Sequence, residues 1–344
     1  MENEYLMDVL VARIKNMEAR KKSIANFLRN QKIISSSLVE SGDIKKVSKF
    51  PLTTTVAGVD SSTRCKSFSG IDIFFSKVIG VVYFIENDRL KKVEYVTNNP
   101  LIEYSIIAQQ LSEIDLEIFL NILRQKKEIS MAMKVLEKFE PEFLVLNGSI
   151  LPHYIEFVSK NYILQKQREE LIEVYKNLYK VVKEKNTILV GVVEDSRGRK
   201  FTEIISENLG KDHNYLEILE ESRDVTILDY TLEKFERTPL FYYSEDLPEL
   251  DYREFQSFYI KVSEFDIPLR VDFYSYRENL VDKISNLLLS LKTSEEYGMP
   301  SILIEADLRS KFAEEEIDNF CKNLMKKVGF ISSLKEKRRE KRPF

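Results

Sequence analysis

The chain is poor in cysteine and histidine, and this scarcity argues against several kinds of site. Cys65 and Cys321 are the only cysteines among 344 residues. They stand too far apart to resemble a ligand pair or a disulfide framework, so we expect unreactive thiols and a reducing compartment. His153 and His213 have no partner at metal-ligand spacing, so we expect structural or exposed positions for both.

Long apolar runs are also missing. No stretch approaches the about 18 apolar residues of a membrane-spanning helix. The N-terminal segment Met1–Glu4 is acidic, whereas a secretory signal begins with basic residues. We therefore expect no membrane association and a cytoplasmic location.

The chain has no excess of positive charge. It has 56 acidic and 52 basic residues and a net charge of -4. This balance argues against a protein that coats nucleic acid nonspecifically, because that mode needs a broad cationic face. A local basic channel is still compatible with it. The basic cluster Lys335–Arg342 is either a DNA-contacting tail or a solvated terminus.

The hydrophobic pattern predicts a mixed α/β protein that begins with a long helix within Tyr5–Ser41. Further helices are predicted at 163–185, 280–291 and from about 306, and two helices are predicted at 101–139. Strands are predicted at 53–59, 71–84, 91–96, 143–146, 187–193, 255–262 and 269–274.

This order of strand, hairpin, helix, strand, helix and strand is the one expected of an RNase H-like mixed sheet flanked by helices. We therefore divide the chain into an N-terminal helical segment, 1–50, and an RNase H-like domain, 51–344. The domain contains an inserted irregular region at about 208–250.

Two predicted strands end in a similar way. Asp60 follows one apolar run and Asn147 follows another, and small residues come next in both. Carboxylates at the ends of adjacent strands can share a divalent cation, and small residues let a phosphate approach the backbone. This pattern is typical of a metal-dependent nuclease. An amide stands where the second carboxylate is expected, so activity depends on Asn147.

Candidate DNA contacts lie beside these strand ends. Ser61 and Ser149 are the small residues in question, and Arg197 and Arg199 follow another predicted strand. The two arginines either clamp a phosphate in a bidentate manner or pair with local glutamates at the surface.

Asp272 and five aromatic residues have two interpretations each. Asp272 either faces the site or forms structural hydrogen bonds within a strand. The aromatic side chains either stack on single-stranded bases or, as their strand spacing favours, pack in the core. They are Tyr242, Tyr243, Phe255, Phe258 and Tyr259.

Six short segments, taken in order, resemble the NurA nucleases, RNase H-like DNA-end-processing enzymes that work with the hexameric ATPase HerA. The segments are Val56–Ser61, Glu128–Met133, Phe143–Ser149, Asp195–Arg199, Leu269–Asp272, and Gly298–Pro300 followed by Leu303 and Ala306-Asp307. Each segment alone is weak, and their common order carries the resemblance.

The resemblance implies a metal site for Mn²⁺ or Mg²⁺. Asp60 and Glu128 match two acidic positions of the family, and Asn147 occupies the third, where the family has aspartate. DNA as substrate, a homodimer and a HerA-like ATPase as partner are implied by the resemblance alone.

The chain departs from the family at other positions. Glu194 or Asp195 replaces a lysine, Met299 a tyrosine and Asp307 a histidine. Either Glu194 and Asp307 contribute to a rearranged metal site, or the carboxylates point apart. Our candidate catalytic residues are Asp60, Glu128, Asn147 and Asp307, and our candidate metal ligands are Asp60, Glu128, Asn147 and Glu194.

Three functions remain open from the sequence. The first is a NurA-like nuclease with an altered site. The second is a catalytically inactive adaptor of a DNA translocase complex that keeps the fold. The third is an RNase H-like module with unrelated partners.

Overall fold

The computed structural model describes residues 2–30, 32–97, 100–109, 111–152, 161–209, 213–244, 249–329 and 331–335. The fold divides into two compact units. Unit 1 comprises Met1–Leu52, Asn147–Ile150 and Ile188–Ser301, and unit 2 comprises Thr53–Leu146, Leu151–Thr187 and Ile302–Phe344. The units do not follow the boundary at residues 50 and 51, and that sequence division stays a prediction.

Strands and helices both occur along the chain, often as several consecutive elements of one kind. The strands are β1 (Lys45–Lys46), β2 (Thr54–Ser67), β3 (Asp72–Glu86), β4 (Arg89–Tyr95), β5 (Glu103–Ile107), β6 (Phe143–Asn147), β7 (Ile188–Val193), β8 (Glu236–Arg237), β9 (Phe241–Tyr242), β10 (Phe255–Lys261) and β11 (Leu269–Tyr274). The helices are α1 (Glu2–Asn30), α2 (Glu113–Phe139), α3 (Tyr162–Glu184), α4 (Lys200–Asn208), α5 (Leu216–Glu221), α6 (Asp224–Thr231), α7 (Leu280–Leu291), α8 (Ser301–Ser310) and α9 (Glu316–Val328).

Unit 2 contains a mixed arrangement of strands. β2 pairs with β3 in antiparallel fashion over its whole length, from Thr54 opposite Ile85 to Ser67 opposite Asp72. β4 and β5 each pair with β3. On its other side β2 runs parallel to β6, and their pairing ends with Val59 opposite Leu146.

The β3–β4 connection is a two-residue turn. Asn87 and Asp88 have φ angles of 48° and 61°, the left-handed values that a tight hairpin requires and that Asn and Asp tolerate. The predicted turn at these residues is therefore confirmed.

Helix α2 packs on β2, β3 and α3. It begins after Ser112, whose side chain caps the helix by accepting a hydrogen bond from the Asp115 backbone N–H at 3.1 Å. The helix buries one apolar stripe at a spacing of three to four residues. The stripe includes Ile118, Ile122, Ile129, Ala132, Val135 and Leu136.

Gly80 on β3 lets this helix approach closely. A Cβ atom at this position would overlap Cγ2 of Val135 and would lie 3.5 Å from Cγ of Met131. Val135 is fully buried, so its branched side chain has little room to move.

Unit 1 contains antiparallel strand pairs. β11 lies between β10 and β7, and β10 also pairs with β8 and β9. The C-terminal half of α1 packs with α4, α5 and α6 in a shared apolar cluster. Its members include Ile24, Leu28, Phe201, Ile205, Ile218, Leu228, Phe241 and Tyr259.

The expected mixed sheet flanked by helices, with a long N-terminal helix, is confirmed. The described part of the 208–250 region contains the short helices α5 and α6 and the short strands β8 and β9. None of the described helices combines the length and apolar character that crossing a membrane requires.

Three local expectations were wrong. Asp60 lies inside β2, because that strand continues to Ser67. Residues 101–139 form strand β5 and one helix, because Glu103–Ile107 pairs with β3. The helix expected from about residue 306 begins at Ser301, directly after Pro300.

We expect Gly80→Ala to lower the free energy of unfolding by about 1–3 kcal/mol, because the new methyl group overpacks the contact between β3 and α2. Val135→Ala makes space at the same point. The double variant should therefore lose less stability than the sum of the two single variants, as measured by urea unfolding. If the losses of stability in the two single variants simply add in the double variant, Gly80 and Val135 are not in contact.

Candidate functional site

Asp60 is held in a defined orientation on β2. It is the residue that follows Val59, where the parallel pairing with β6 ends, and it is 5% exposed. The backbone N–H of Ser61 donates a hydrogen bond to Oδ1 of Asp60 at 2.7 Å. The carboxyl group is therefore positioned by the main chain of its own strand.

Glu128 on α2 is joined to the same strand. Its Oε1 accepts a hydrogen bond from Oγ of Ser61 at 2.5 Å and another from Nη1 of Arg124 at 2.7 Å. The side chains of Glu128 and Arg124 are 13% and 28% exposed. Ser61 is thus bonded to both acidic residues, so Asp60 and Glu128 belong to one cluster in unit 2.

Burial determines the electrostatics of this cluster. It raises the pKa of Glu128, while Arg124 and the Ser61 hydroxyl act in the opposite direction. Burial would lower the pKa of Arg124, but attraction to Glu128 and then to Asp60 raises it. Burial and the nearby Glu128 also raise the pKa of Tyr175. The cluster therefore combines a charged guanidinium, a neutral phenol and two carboxyl groups.

Two other candidate carboxylates have partners within the protein. Asp307 on α8 forms an ion pair with Lys311 at 2.7 Å, and its side chain is 43% exposed. Glu194, which follows β7 in unit 1, accepts a hydrogen bond from the hydroxyl of Tyr297.

Asn147 is the last residue of β6, as the sequence predicts for the end of a strand. Gly148 follows with a φ of 110°, a value that glycine adopts without steric cost. The Gly148 N–H donates to the Val192 carbonyl at 2.8 Å. The segment that carries Asn147 and Ser149 is therefore attached to β7.

The oxygen donor atoms of the unit 2 cluster are of the chemical type that a hard divalent cation binds. Carboxylate oxygens of Asp60 and Glu128 and the Ser61 hydroxyl are the oxygen ligands that Mg²⁺ and Mn²⁺ take. Across the described residues, however, no group of three or more His, Cys, Asp or Glu side chains is arranged to hold a metal ion.

Arg197 lines a cavity of about 470 Å³ in unit 1. Arg223 and Lys21 also line it, and so do Glu18 and Asp229. Lys21 pairs with Glu18, and Asp229 pairs with Lys261, both at 2.7 Å.

The two arginines of this cavity differ from Arg199. Within the described part of the chain, Arg197 and Arg223 form no ion pair, so both are available to an anion. Arg199 instead donates to the Leu219 carbonyl at 3.5 Å.

A buried ion pair supports the loop that carries Arg197. Nη2 of Arg270 lies 3.1 Å from Oδ2 of Asp272, and Ser257 donates to Oδ1 of Asp272 at 2.8 Å. Nη1 of Arg270 donates to Oγ of Ser196 at 3.4 Å. The sequence left open whether Asp272 faces the site or forms structural hydrogen bonds. The structure shows the second of these roles.

A second buried carboxylate, Asp224, was missed by sequence reasoning. Its Oδ2 accepts hydrogen bonds from the Phe201 N–H at 3.0 Å and from the Tyr259 hydroxyl at 2.9 Å. Its Oδ1 accepts from the Thr202 N–H at 2.8 Å. It thus caps α4 from a distant part of the chain. Sequence reasoning also missed Arg124. It stands four residues before Glu128 on a predicted helix, and this spacing indicates an ion pair.

The remaining singled-out residues mostly occupy structural positions. His213 packs against Phe27 and Tyr215, and Cys321 is buried in an apolar cluster. Phe255, Phe258 and Tyr259 are buried, as core packing predicts. His153 and the segment 336–342 of the basic cluster lie outside the described residues.

A profile of the NurA domain matches residues 54–312. The chain belongs to the NurA family. The match includes both carboxylates of the unit 2 cluster and Asn147. No curated protein matches this NurA chain in sequence.

Solved NurA structures have the same fold. The NurA nuclease from Sulfolobus solfataricus is 16% identical, with 95% of this chain and 96% of that chain covered and a TM-score of 0.62. Another NurA structure is 12% identical, with 96% and 98% covered and a TM-score of 0.50. A NurA bound to dAMP and manganese is 14% identical, with 96% and 97% covered and a TM-score of 0.46.

We expect Asp272→Ala to lower the free energy of unfolding by about 3–5 kcal/mol, because it leaves the Arg270 guanidinium buried without its carboxylate. Asp318→Ala, which removes an exposed carboxylate, is the control and should change stability by less than about 1 kcal/mol. Both values are measured by urea unfolding. Equal effects would show that the Arg270–Asp272 pair has no special structural importance.

Proposed function

We propose that this protein is a NurA-type nuclease that cleaves DNA with the help of Mn²⁺ or Mg²⁺. The observation that carries the proposal is the cluster in unit 2, in which Ser61 is bonded to both Asp60 and Glu128. Family membership supports the nuclease class, and the oxygen donors support a hard divalent cation.

Asp60 and Glu128 would hold the cation, with Asn147 and Glu194 as further candidate ligands. When bound, such an ion neutralises phosphate charge and lowers the pKa of a bound water. The protein itself orients Asp60 through the Ser61 N–H and Glu128 through the Ser61 hydroxyl. Asp307 remains a candidate catalytic residue, and it must be released from Lys311 to act.

DNA is the proposed substrate, and the arginine-lined cavity of unit 1 supports this. Arg197 and Arg223 present charged guanidinium groups that form no ion pair with any described residue, which suits recognition of phosphate. Arg199, Ser61 and Ser149 are further proposed DNA contacts.

We propose that the protein acts in the cytoplasm as a homodimer with a HerA-like ATPase. The N-terminal half of α1 supports a protein partner, because several large apolar side chains are exposed on it. They include Leu6, Leu10 and Ile14, which are 63%, 52% and 50% exposed.

A catalytically inactive adaptor with the same fold is the second candidate. It is favoured by the Arg124–Glu128 ion pair and by the amide at Asn147. Both reduce the negative charge available to a cation.

We expect cleavage of labelled single- and double-stranded DNA in Mn²⁺ by the parent protein, and a loss of about a hundredfold or more in Asp60→Asn and Glu128→Gln. Asn147→Asp should raise the rate about tenfold, because it restores a negative ligand charge. Rates are measured by gel analysis of the products.

Lys127→Gln is the control, since Lys127 lies on α2 beside Glu128 but pairs with the exposed Glu103. A silent parent that gains cleavage in Asn147→Asp would indicate a decayed site. If all variants are silent and the parent copurifies with a HerA-like ATPase, the adaptor function replaces the nuclease.

We expect Arg197→Gln and Arg223→Gln each to weaken single-stranded DNA binding about three- to tenfold and to reduce the salt dependence of the dissociation constant. Fluorescence anisotropy in EDTA separates binding from cleavage. The exposed Arg253 provides the control variant Arg253→Gln, which should bind as the parent does. Unchanged binding in both cavity variants would exclude this cavity as a DNA contact.

A further inference from the structure

Arg124 occupies a position from which it controls the charge of the proposed cation site. Its Nη1 donates to Oε1 of Glu128 at 2.7 Å, the same oxygen that accepts from Ser61. We propose that Arg124 is a built-in counter-ion of Glu128 that competes with the divalent cation for this carboxylate. The inference rests on the proposed metal-dependent function and concerns how tightly the site binds its ion.

Burial separates this contact from ordinary helix-surface ion pairs. The side chains of Arg124 and Glu128 are 28% and 13% exposed, whereas those of Lys180 and Glu184, at the same helical spacing, are 72% and 61% exposed. An exposed pair is screened by water and contributes little. A partly buried pair is screened less, so each charge depends more strongly on its partner.

The surroundings leave Arg124 as the compensating charge of the cluster. Attraction from Glu128 and from Asp60 acts on its guanidinium. Lys311, whose charge also interacts with Asp60, is already paired with Asp307 at 2.7 Å. Asp60 and Glu128 together carry two negative charges when ionised, and Arg124 reduces their sum to one.

This charge arithmetic predicts weak cation binding. Divalent-ion affinity depends on the number of charged ligands, and a guanidinium bonded to Glu128 both repels the ion and occupies a lone pair of its oxygen. The same contact holds Glu128 against Ser61 in the absence of metal. Arg124 is therefore a positioning residue. Its loss should lower the stability of the metal-free protein and increase the affinity for the metal ion.

The test measures Mn²⁺ binding and thermal unfolding of the full chain. In Arg124→Met, which supplies neither charge nor oxygen, we expect the Mn²⁺ dissociation constant to fall about tenfold. This is read from the electron paramagnetic resonance signal of free Mn²⁺. The variant should unfold at a lower temperature than the parent in EDTA and gain more stability from Mn²⁺.

Two matched variants complete the design. Arg124→Lys keeps the charge and should bind Mn²⁺ as the parent does. Lys127→Met removes an exposed cation from the same helix and should leave Mn²⁺ binding unchanged. If Arg124→Met does not fold, as judged by circular dichroism, Arg124→Gln takes its place.

The outcomes distinguish this inference from the proposed function. If the parent and Arg124→Met bind Mn²⁺ with equal affinity, and Asp60→Asn abolishes binding in both, the counter-ion proposal fails but the proposed metal site stands. A lower unfolding temperature without tighter Mn²⁺ binding also overturns it, because that is the result of a purely structural contact. If neither protein binds Mn²⁺, the inference and the metal-dependent function both fail.

Discussion

The contact between Ser61 and Glu128 is the interaction on which the proposed site depends. The two residues are 67 positions apart, and one belongs to a strand while the other belongs to a helix. Their hydrogen bond requires α2 to lie close to β2 and β3, and the absence of a side chain at Gly80 permits this approach. Helix packing and placement of the acidic cluster therefore have one cause.

Once Asp60 and Glu128 are brought together, their charges must be balanced. Carboxylates that share a small volume repel one another unless a cation or a hydrogen-bond donor compensates them. In this chain the donors come from the protein. Arg124 and Ser61 both donate to the same oxygen of Glu128. The chain therefore combines the NurA fold with an acidic pair whose negative charge is partly balanced by a guanidinium.

Unit 1 uses buried charge for a different purpose. Arg270 and Asp272 form an ion pair beneath the loop that begins at Ser196, and Asp224 caps α4 while bonding to Tyr259. Such groups are costly to bury alone, and each has several partners here. Arg197 follows Ser196 in this loop and lines a cavity, and it forms no ion pair with an acidic side chain of the described residues.

Local sequence patterns were enough to predict most elements and both carboxylates of the cluster. Apolar periodicity predicted α3, α7 and the pair β10–β11, and local turn chemistry predicted Asn87-Asp88. Ordered family motifs pointed to Asp60, Glu128 and Asn147. These features are local, since each depends on residues within one element or one short segment.

The remaining features depend on contacts between segments that are distant in the chain. The polar second half of β2 is a strand because β3 supplies its hydrogen bonds, so Asp60 lies within the strand. Residues 103–107 are a strand for the same reason. Arg124 donates to the same oxygen of Glu128 that accepts from Ser61, and this ion pair is partly buried. Both features depend on packing between distant segments, which hydrophobic periodicity does not encode.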